Sequence, residues 1–544
     1  MDPGKDLRSY KGVVCLSGLA ATGPFVRKPQ KRLSRPMPRN HKVKDLDELA
    51  VCLQALKAAG KKIVLSHGVF DLLHVGHIRH FEEARQMGDV LVVTITPDEH
   101  VNKGPHRPAF SQDLRAETIA ALNFVDYVAI NCWPLAVETI NLLRPDIYAK
   151  GSDYKAAEKD ITGGIIREAE AVRSVGGEIR FTDNITFSSS NLLNRYLPPF
   201  PAEVDNYLDA FRRRHSSDEV LMWLERASKL RPLVVGEAIV DEYVFCDAIG
   251  KSTKDPVLAV LEKTVEAYAG GTLAIANHVA ALCDEVVLVT QLGETDGRED
   301  FVRRTLRSNV EPVLLTKSGS PTIHKRRIVD HYSGNKLIEI YRMEDRPTAA
   351  SDERMVLSAL ERSIKRSSIV VVADYGHGML TPAAIEFLCN ASPFLAVNVQ
   401  SNAGNRGLNP ISKYRRADYV CLAAHEVEIE TRQRDGSMRE GQLEVARRID
   451  CPRFTITLGK AGSLHYTQAE GFTEVPALAS RVLDRVGAGD AVLAVTALLV
   501  KLGAPWDIVG FVGNAAGAQM VAELGNRVPL DRIALSKHIV ALLK

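Results

Sequence analysis

Leu197-Pro-Pro-Phe-Pro201 divides this chain, because consecutive prolines can neither continue a helix nor join the interior of a sheet. On each side of it short apolar runs alternate with amphipathic stretches. Upstream, residues 63–65, 90–94, 127–130 and 147–149 read as buried strands, and 78–86, 114–122 and 136–143 as helices. Downstream, a new strand opens at Pro232-Leu-Val-Val-Gly236, and 286–290, 369–373, 395–397, 419–422 and 455–457 read as further strands. Strand–helix alternation of this kind predicts parallel sheets covered on both faces, an α/β class. The organisation expected is a basic, Pro-rich tail over 1–42, a first domain over 43–196, a linker and connecting helix over 197–231, and a second domain over 232–544. With 544 residues, the chain exceeds what one hydrophobic core serves.

Bulk chemistry removes several function classes. Lys and Arg number 69 against 67 Asp and Glu, too even a balance for a nucleic-acid or acidic-membrane partner. No apolar run reaches the roughly 18 residues that cross a bilayer. Eight cysteines are scattered without a C-x-x-C pair, as expected of reduced thiols in a cytoplasmic protein. No G-x-G-x-x-G follows the early strands, which argues against a dinucleotide dehydrogenase.

The first motif is Ile63-Val-Leu-Ser-His-Gly-Val-Phe-Asp-Leu-Leu-His-Val-Gly-His-Ile78, an apolar strand entering a glycine turn and then a helix. Helix N-termini carry unpaired N–H groups and the positive end of the dipole, so phosphates dock there. His74 and His77, three residues apart, can reach one phosphate, and Gly76 lets the backbone approach it. Such donors stabilise charge that develops during nucleotidyl transfer without a covalent intermediate. The segment resembles the cytidylyltransferase-like superfamily. The resemblance continues through Lys103-Gly104, Arg107-Pro108, Arg115, Lys150-Gly-Ser-Asp-Tyr154 and Phe187-Ser-Ser-Ser-Asn191, covering about residues 60–196. It implies a Rossmann-like nucleotidyltransferase sheet with His74, His77 and Lys103 as catalytic residues. Gly68, Phe70, Gly76 and Ser188, Ser189 and Ser190 would hold the nucleotide, and Asp71, Arg115, Lys150 and Asp153 the acceptor. Asp71 reads equally as a turn cap. His67 stands where relatives carry Asn or Thr.

The second motif is Asp484-Arg-Val-Gly-Ala-Gly-Asp490, a glycine turn ahead of an apolar helix. The turn can form an anion hole, and Asp490 can accept the proton of an attacking hydroxyl. It resembles the second signature of ribokinase-like (PfkB-type) sugar kinases, and other pieces fall in that family's order over about 232–540. Val235-Gly-Glu-Ala-Ile-Val-Asp241 resembles the strand with the sugar-contacting Asp241. Gly270-Gly271 with Asn277 resembles the element touching sugar hydroxyls, and Gln291-Leu-Gly-Glu-Thr-Asp-Gly297 the Gly-x-Asp-x-x-Gly element. Thr457-Leu-Gly-Lys-Ala-Gly462 and Asn514-Ala-Ala-Gly517 resemble the nucleotide side, assigning Thr457, Gly459, Gly462 and Asn514, with Gly487, Ala488 and Gly489, to nucleotide binding. Glu426 keeps the register of a metal-organising Asn-x-x-Glu element in which Ala423 replaces the Asn, and Asn398-Val-Gln400 stands for the Asp-Pro-Lys of heptose kinases. The resemblance implies a ribokinase-like α/β sandwich with a small lid.

A kinase and a nucleotidyltransferase on one chain imply phosphorylation of a sugar and then its activation as a nucleotide-sugar. The pairing resembles the bifunctional enzymes of ADP-heptose synthesis, with the domains in reverse order. Pro321-Thr-Ile-His-Lys-Arg-Arg327 and Ala373-Asp-Tyr-Gly-His-Gly378 are similar to segments of that kinase. Expected ligands are Mg2+, ATP (CTP being the alternative for the transferase), a sugar phosphate, no nucleic acid and no membrane. Self-association as a homodimer through the second domain is left open. A polyol or amino-alcohol phosphate substrate, or a kinase half that senses a sugar phosphate without turnover, are the competing readings.

Overall fold

The computed structural model describes residues 41–101, 107–151, 164–182, 200–344, 348–405, 407–434 and 436–544; residues 1–40 of the expected tail lie outside them. The first sheet holds β1 (Ile63–Gly68), β2 (Val90–Ile95), β3 (Tyr127–Ile130), β4 (Ile147–Gly151) and β5 (Glu178–Thr182), all parallel, in the order β3-β2-β1-β4-β5. Alternate residues feed opposite cores, as the pleat requires. Ile63, Leu65, Val90 and Val92 pack with Leu49, Leu53 and Ile140, whereas Val64, Leu91, Val93 and Ile95 pack with Phe81, Ala116 and Ile119. The chain leaves β1 to build β2 and β3 on one side and returns to place β4 on the other. Ligands of such sheets bind beyond the carboxyl ends of the strands at this reversal, here β1 and β4. Val43 already bridges to Val128 on β3.

The second domain is organised by one strand. β6 (Pro232–Lys251) runs for 20 residues and belongs to two sheets. Its first half lies between β8 (Val286–Gly293) and β12 (Ile369–Asp374), both parallel to it. Its second half pairs with β7 (Leu258–Gly270) antiparallel and with β10 (Ile323–Asp330) parallel, and β11 (Lys336–Arg342) pairs with β10 to complete a lid sheet. The main sheet continues from β8 to β9 (Val310–Lys317). On the other side it runs from β12 through β13 (Leu395–Val399), β14 (Tyr419–Ala423), β15 (Arg453–Thr457), β16 (Ser463–Thr467) and β17 (Gly471–Val475). The corner falls at Gly236, with φ +152° and a position where a Cβ would stand 2.0 Å from the Ala373 carbonyl oxygen. Only glycine fits there.

Two features differ from the sequence reading. The expected connecting helix is two helices, Ala202–Arg214 and Ser217–Ala227, and they are no linker. Val204, Leu208, Phe211, Val220 and Leu224 are buried in the same core as Ile508, Phe511 and Leu535 of the second domain. Phe211 stacks on Phe511 at 4.3 Å, and Asp507 accepts from Arg214 and His215 at 2.7 Å each. The second difference is the lid strands β7 and β11, which lack the buried apolar pattern of the others and expose Leu258, Leu261, Val265, Ile338 and Ile340. Among the described residues no helix is long and apolar enough to cross a membrane.

Phe211→Ala is expected to remove about 3–5 kcal/mol from the second domain, read as a lower denaturant midpoint for that domain's transition with the first domain's transition unmoved. A linker helix would show no such loss.

Candidate active sites

In the first domain, the carboxyl end of β1 leads through the turn 69–74 into the helix Val75–Gln86. His74 is the residue before that helix, in extended backbone, and its Nδ1 accepts from the Gly76 N–H at 3.1 Å. With Nδ1 an acceptor, Nε2 carries the hydrogen of the neutral ring. Burial holds the His74 pKa below the usual imidazole value, so the ring is neutral at pH 7 and offers an N–H rather than a charge. His77 stacks on it with ring centroids 3.9 Å apart. Phe70, in the left-handed region at φ 48°, lies over Gly68, where a Cβ would meet its ring at 2.9 Å, and meets His77 edge-on at 5.4 Å. Gly68, Phe70, His74, Gly76 and His77 are therefore gathered at one helix start.

Beside them lies a network absent from the sequence reading. His67 bonds to the hydroxyls of Thr94 (3.0 Å) and Thr96 (3.3 Å), and His80 to those of Ser66 (2.8 Å) and Thr182 (2.9 Å). Burial, with Lys150 adding to it, pushes both histidines down to about 4. Lys150 is buried at the end of β4 and pairs with Glu168 at 2.9 Å; Glu168 also accepts from the Tyr148 hydroxyl at 3.0 Å. His80 was legible, one helical turn beyond His77 on the same face. Glu168 was not, because the spacing of the helix Gly164–Ser174 gives no sign of which residue meets β4.

Two residues expected to bind the acceptor are committed elsewhere. Asp71 accepts from the backbone N–H of Ala109 (2.6 Å) and Phe110 (3.3 Å) and from Arg107 (3.1 Å), pinning that loop. Arg115 is 2% exposed and commits all three guanidinium nitrogens to the Val69, Thr96 and Phe110 carbonyls and the Asp98 carboxylate. It braces the turn that carries Phe70. Lys103, Asp153 and Ser188–Ser190 lie outside the described residues.

In the second domain, the helix Ala488–Leu502 starts at Gly487, whose φ of +84° requires glycine, and a Cβ on Gly489 would meet nothing within 4 Å. The helix start is therefore open. Asp490 sits in its first turn and accepts from the Tyr375 hydroxyl at 3.3 Å. Burial, reinforced by repulsion from Asp241, pushes the Asp490 carboxyl up to about 7, against the opposing pull of Tyr375 and Lys325. Asp241 pairs with Arg327 at 2.6 Å, and a Cβ on Gly270 would stand 2.4 Å from its Oδ2. Gly270 is thus the residue that lets the chain pass the Asp241 carboxylate. Lys325, opposite Asp241 in the β6–β10 register and 6% exposed, lies 5.3 Å from the Tyr341 ring and 5.8 Å from that of Tyr375; burial lowers its pKa.

Tyr375 is placed by Glu237, one residue past the corner, which accepts from the N–H of Tyr375 (3.2 Å), His377 (3.1 Å) and Met379 (3.4 Å). Burial and the neighbouring Asp374 push Glu237 up to about 7. Sequence reasoning noted the segments holding Lys325 and Tyr375 and missed the residues, since neither motif says which side chain turns inward.

Asn277 does not join the site. It is 3% exposed, donates to the Thr305 carbonyl and accepts from the Arg307 N–H at 2.9 Å each, holding a turn. Gly271, at φ +54°, packs on Ile239. On the other flank, Gly462 passes the Val475 carbonyl, where a Cβ would be 2.0 Å away, and Asn514 donates to the hydroxyl of the next residue, Ser463, at 2.5 Å. Thr457 closes β15, and Gly459 (φ +60°) opens the short turn that leads to Gly462. Glu426 caps the helix Ala424–Thr431, accepting from the N–H of Ala423 (2.7 Å) and Ser401 (3.1 Å); burial pushes it up to about 7. No group of three or more His, Cys, Asp or Glu able to hold a metal occurs among the described residues. A magnesium ion carried on nucleotide phosphates needs only one or two protein carboxylates, and Glu426, within electrostatic reach of Asp490, fits that demand.

Because the folded Asp490 binds its proton more tightly than the unfolded chain does, its charge above pH 7 opposes folding, and the opposition fades as pH falls from about 7 toward 4. Asp490→Asn is expected to raise stability at pH 8 by on the order of 1–3 kcal/mol and by less at pH 5. Thermal unfolding at the two pH values checks the sign.

Comparison with known proteins agrees with this division. Residues 231–533 match the family model "pfkB family carbohydrate kinase" and residues 65–195 the model "Cytidylyltransferase-like". Bifunctional protein HldE of Bradyrhizobium diazoefficiens is 28% identical over 302 residues, 54% of this chain and 60% of that protein. The HldE proteins of Pelobacter propionicus and Geobacter sulfurreducens are 39% identical over 159 residues and 38% over 167, which is 29% and 30% of this chain and 31% and 32% of theirs. The matched stretches span from about a third to three-fifths of these relatives' length. Among solved structures, a point mutant of Escherichia coli phosphofructokinase-2 aligns with TM-score 0.48 and 17% identity, covering 58% of this chain and all of its own. Arabidopsis thaliana ribokinase complexed with ribose and ATP aligns at 0.44 and 19%, covering 58% and 99%. The chain belongs to the pfkB family of carbohydrate kinases, with a cytidylyltransferase-like domain placed ahead of the kinase.

Proposed function

We propose that the second domain phosphorylates a sugar phosphate with ATP and that the first joins the resulting sugar 1-phosphate to a nucleotide, with heptose 7-phosphate as substrate and ADP-heptose as product. The observation that carries the reading is Asp490, a carboxyl poised near neutrality at an open helix start. Similarity to HldE proteins supports the sugar and the pairing of activities.

In the kinase step a sugar hydroxyl oxygen attacks the γ-phosphorus, its proton passes to Asp490, the bond from phosphorus to the β–γ bridging oxygen breaks, and ADP leaves. The N–H groups of the 487–490 turn face the transferred phosphate, and Tyr375 orients the accepting carboxylate. Glu426 would be the protein carboxylate that holds a magnesium ion carried on the nucleotide, which would supply positive charge against the phosphates. In the transferase step an oxygen of the sugar 1-phosphate attacks the α-phosphorus and pyrophosphate leaves. Neutral His74 and the His77 ring stacked on it donate N–H groups to the phosphates, and Lys103 supplies positive charge. The outward apolar side chains of β7 and β11 support a homodimer closed through the lid, and the reduced, scattered cysteines a cytoplasmic setting.

Mass spectrometry of products from heptose 7-phosphate with ATP or CTP tests the reading: ADP-heptose is expected with ATP, and CDP-sugar or no nucleotide-sugar would overturn it. Asp490→Asn should lower phosphorylation at least about 10³-fold and leave nucleotidyl transfer from added sugar 1-phosphate intact, with His77→Ala doing the reverse. Since the base must be deprotonated, kinase kcat/KM should fall about tenfold per pH unit below pH 7.

A further inference from the structure

The loop after the helix Trp506–Val521 holds a side chain that the fold does not use. Asn526 is 7% exposed, and neither its Oδ1 nor its Nδ2 has a hydrogen-bond partner. Its neighbours are fixed. The Gly525 N–H donates to Asp484 at 3.1 Å, Gly525 itself takes φ +51° under the Tyr243 hydroxyl, and Arg527 pairs with Glu266 of the lid strand β7. The backbone therefore presents the carboxamide in a set place rather than letting it swing to water. That place is the anion turn: a Cβ on Gly487 would stand 2.0 Å from the Asn526 amide oxygen.

A buried amide with both ends unmatched costs stability, and a folded protein retains one where something else completes it. Here the group abuts the start of a 15-residue helix whose N–H groups and dipole favour an anion, with Asp490 in the same first turn. The two orientations of a carboxamide have the same shape, and an anion selects the one that turns Nδ2 toward it.

We propose that Asn526 is a phosphate ligand of the kinase site, its Nδ2 donating to the terminal phosphoryl group of a nucleoside triphosphate beside the Gly487–Asp490 turn. The terminal group is specified because the turn that Asn526 touches is the one carrying the base for the attacking hydroxyl. The assignment rests on the kinase reading above.

Asn526→Leu, which keeps the shape and removes the amide, gives opposite signs for the two roles such a residue can play. As a phosphate ligand its loss leaves the thermal midpoint unchanged or higher, weakens binding of a non-hydrolysable ATP analogue at least tenfold in calorimetry, and leaves ADP binding within twofold. Asn526→Asp, which sets a carboxylate against the phosphate, weakens the analogue further than Leu does. A lower midpoint for the Leu variant, equal weakening of ADP and the analogue, or analogue binding by the Asp variant as tight as the parent's would each overturn the assignment. A parent chain that binds neither nucleotide removes the kinase reading and this assignment with it, whereas binding without sugar phosphorylation removes the substrate alone.

Discussion

The kinase half depends on a strand that changes sheets. A side chain at position 236 would collide with the Ala373 carbonyl, so the chain passes β12 only as glycine and bends there out of the main sheet. Beyond the bend, the alternation of a strand fixes where each side chain of β6 points. Glu237, at the bend, gathers three backbone N–H groups and so sets the loop with Tyr375. Asp241, four residues on, faces Lys325 and Arg327 across β10. Tyr375 and Asp241 are the two groups that meet or repel Asp490. One backbone constraint therefore fixes the geometry around Asp490 from two directions.

The two candidate sites are furnished by different means. In the first domain the imidazoles of His67, His74 and His80 are all held neutral by burial, so their contribution is directed N–H groups. The charge resides on Lys150, oriented by a carboxylate that is itself buried. In the second, burial acts on acids. Asp490, Glu426 and Glu237 are each raised to about 7 in spite of hydrogen bonds that oppose the shift. Above about pH 7 the charge on such buried carboxyls opposes folding, and groups of this kind concentrate where proton transfer and metal or phosphate handling are required. Asn398, at the position of an expected Asp, is consistent with that restraint on charge: its amide donates to the Cys421 carbonyl at 2.7 Å without adding another carboxylate.

Much of the architecture was legible because parallel strands covered on both faces read as unbroken apolar runs; every residue of β2 and β12 is buried. The lid was not, since β7 and β11 show water or a partner both of their faces and so carry neither a run nor a clean alternation. The helix Leu46–Ala58 was hidden by its nearness to the basic tail. At the sites, glycine-bearing turns were found because their chemistry is local. The polar residues were the weak point. Asn277, Asp71 and Arg115 occur in motifs that resemble ligand-binding ones, yet their hydrogen bonds are consumed by turns distant in sequence. Lys325, Tyr375 and Glu168 reach the sites from elements whose spacing carries no sign of it. A motif tells which residue types are present; the pairing of donors with acceptors tells which remain available.

The same pairing of donors with acceptors joins the lid to the phosphate turn. Asp484, just ahead of the turn, accepts from Lys336 on β11 at 2.5 Å, from the Tyr243 hydroxyl on β6 at 3.0 Å, from Gly525 at 3.1 Å and from Val486 within the turn at 3.2 Å. The carboxylate is buried, and these contacts hold its pKa below the usual value although burial acts the other way. Lifting the lid strand away would withdraw Lys336 and leave a buried charge short of its counter-ion, a loss of about 3–5 kcal/mol. The same displacement pulls on Arg527 through Glu266, next to Asn526. The helix start at Gly487 is therefore braced by the seated lid through Asp484 and Arg527. The lid strands and the Gly487–Asp490 turn are in this fold parts of one hydrogen-bonded unit centred on a single carboxylate.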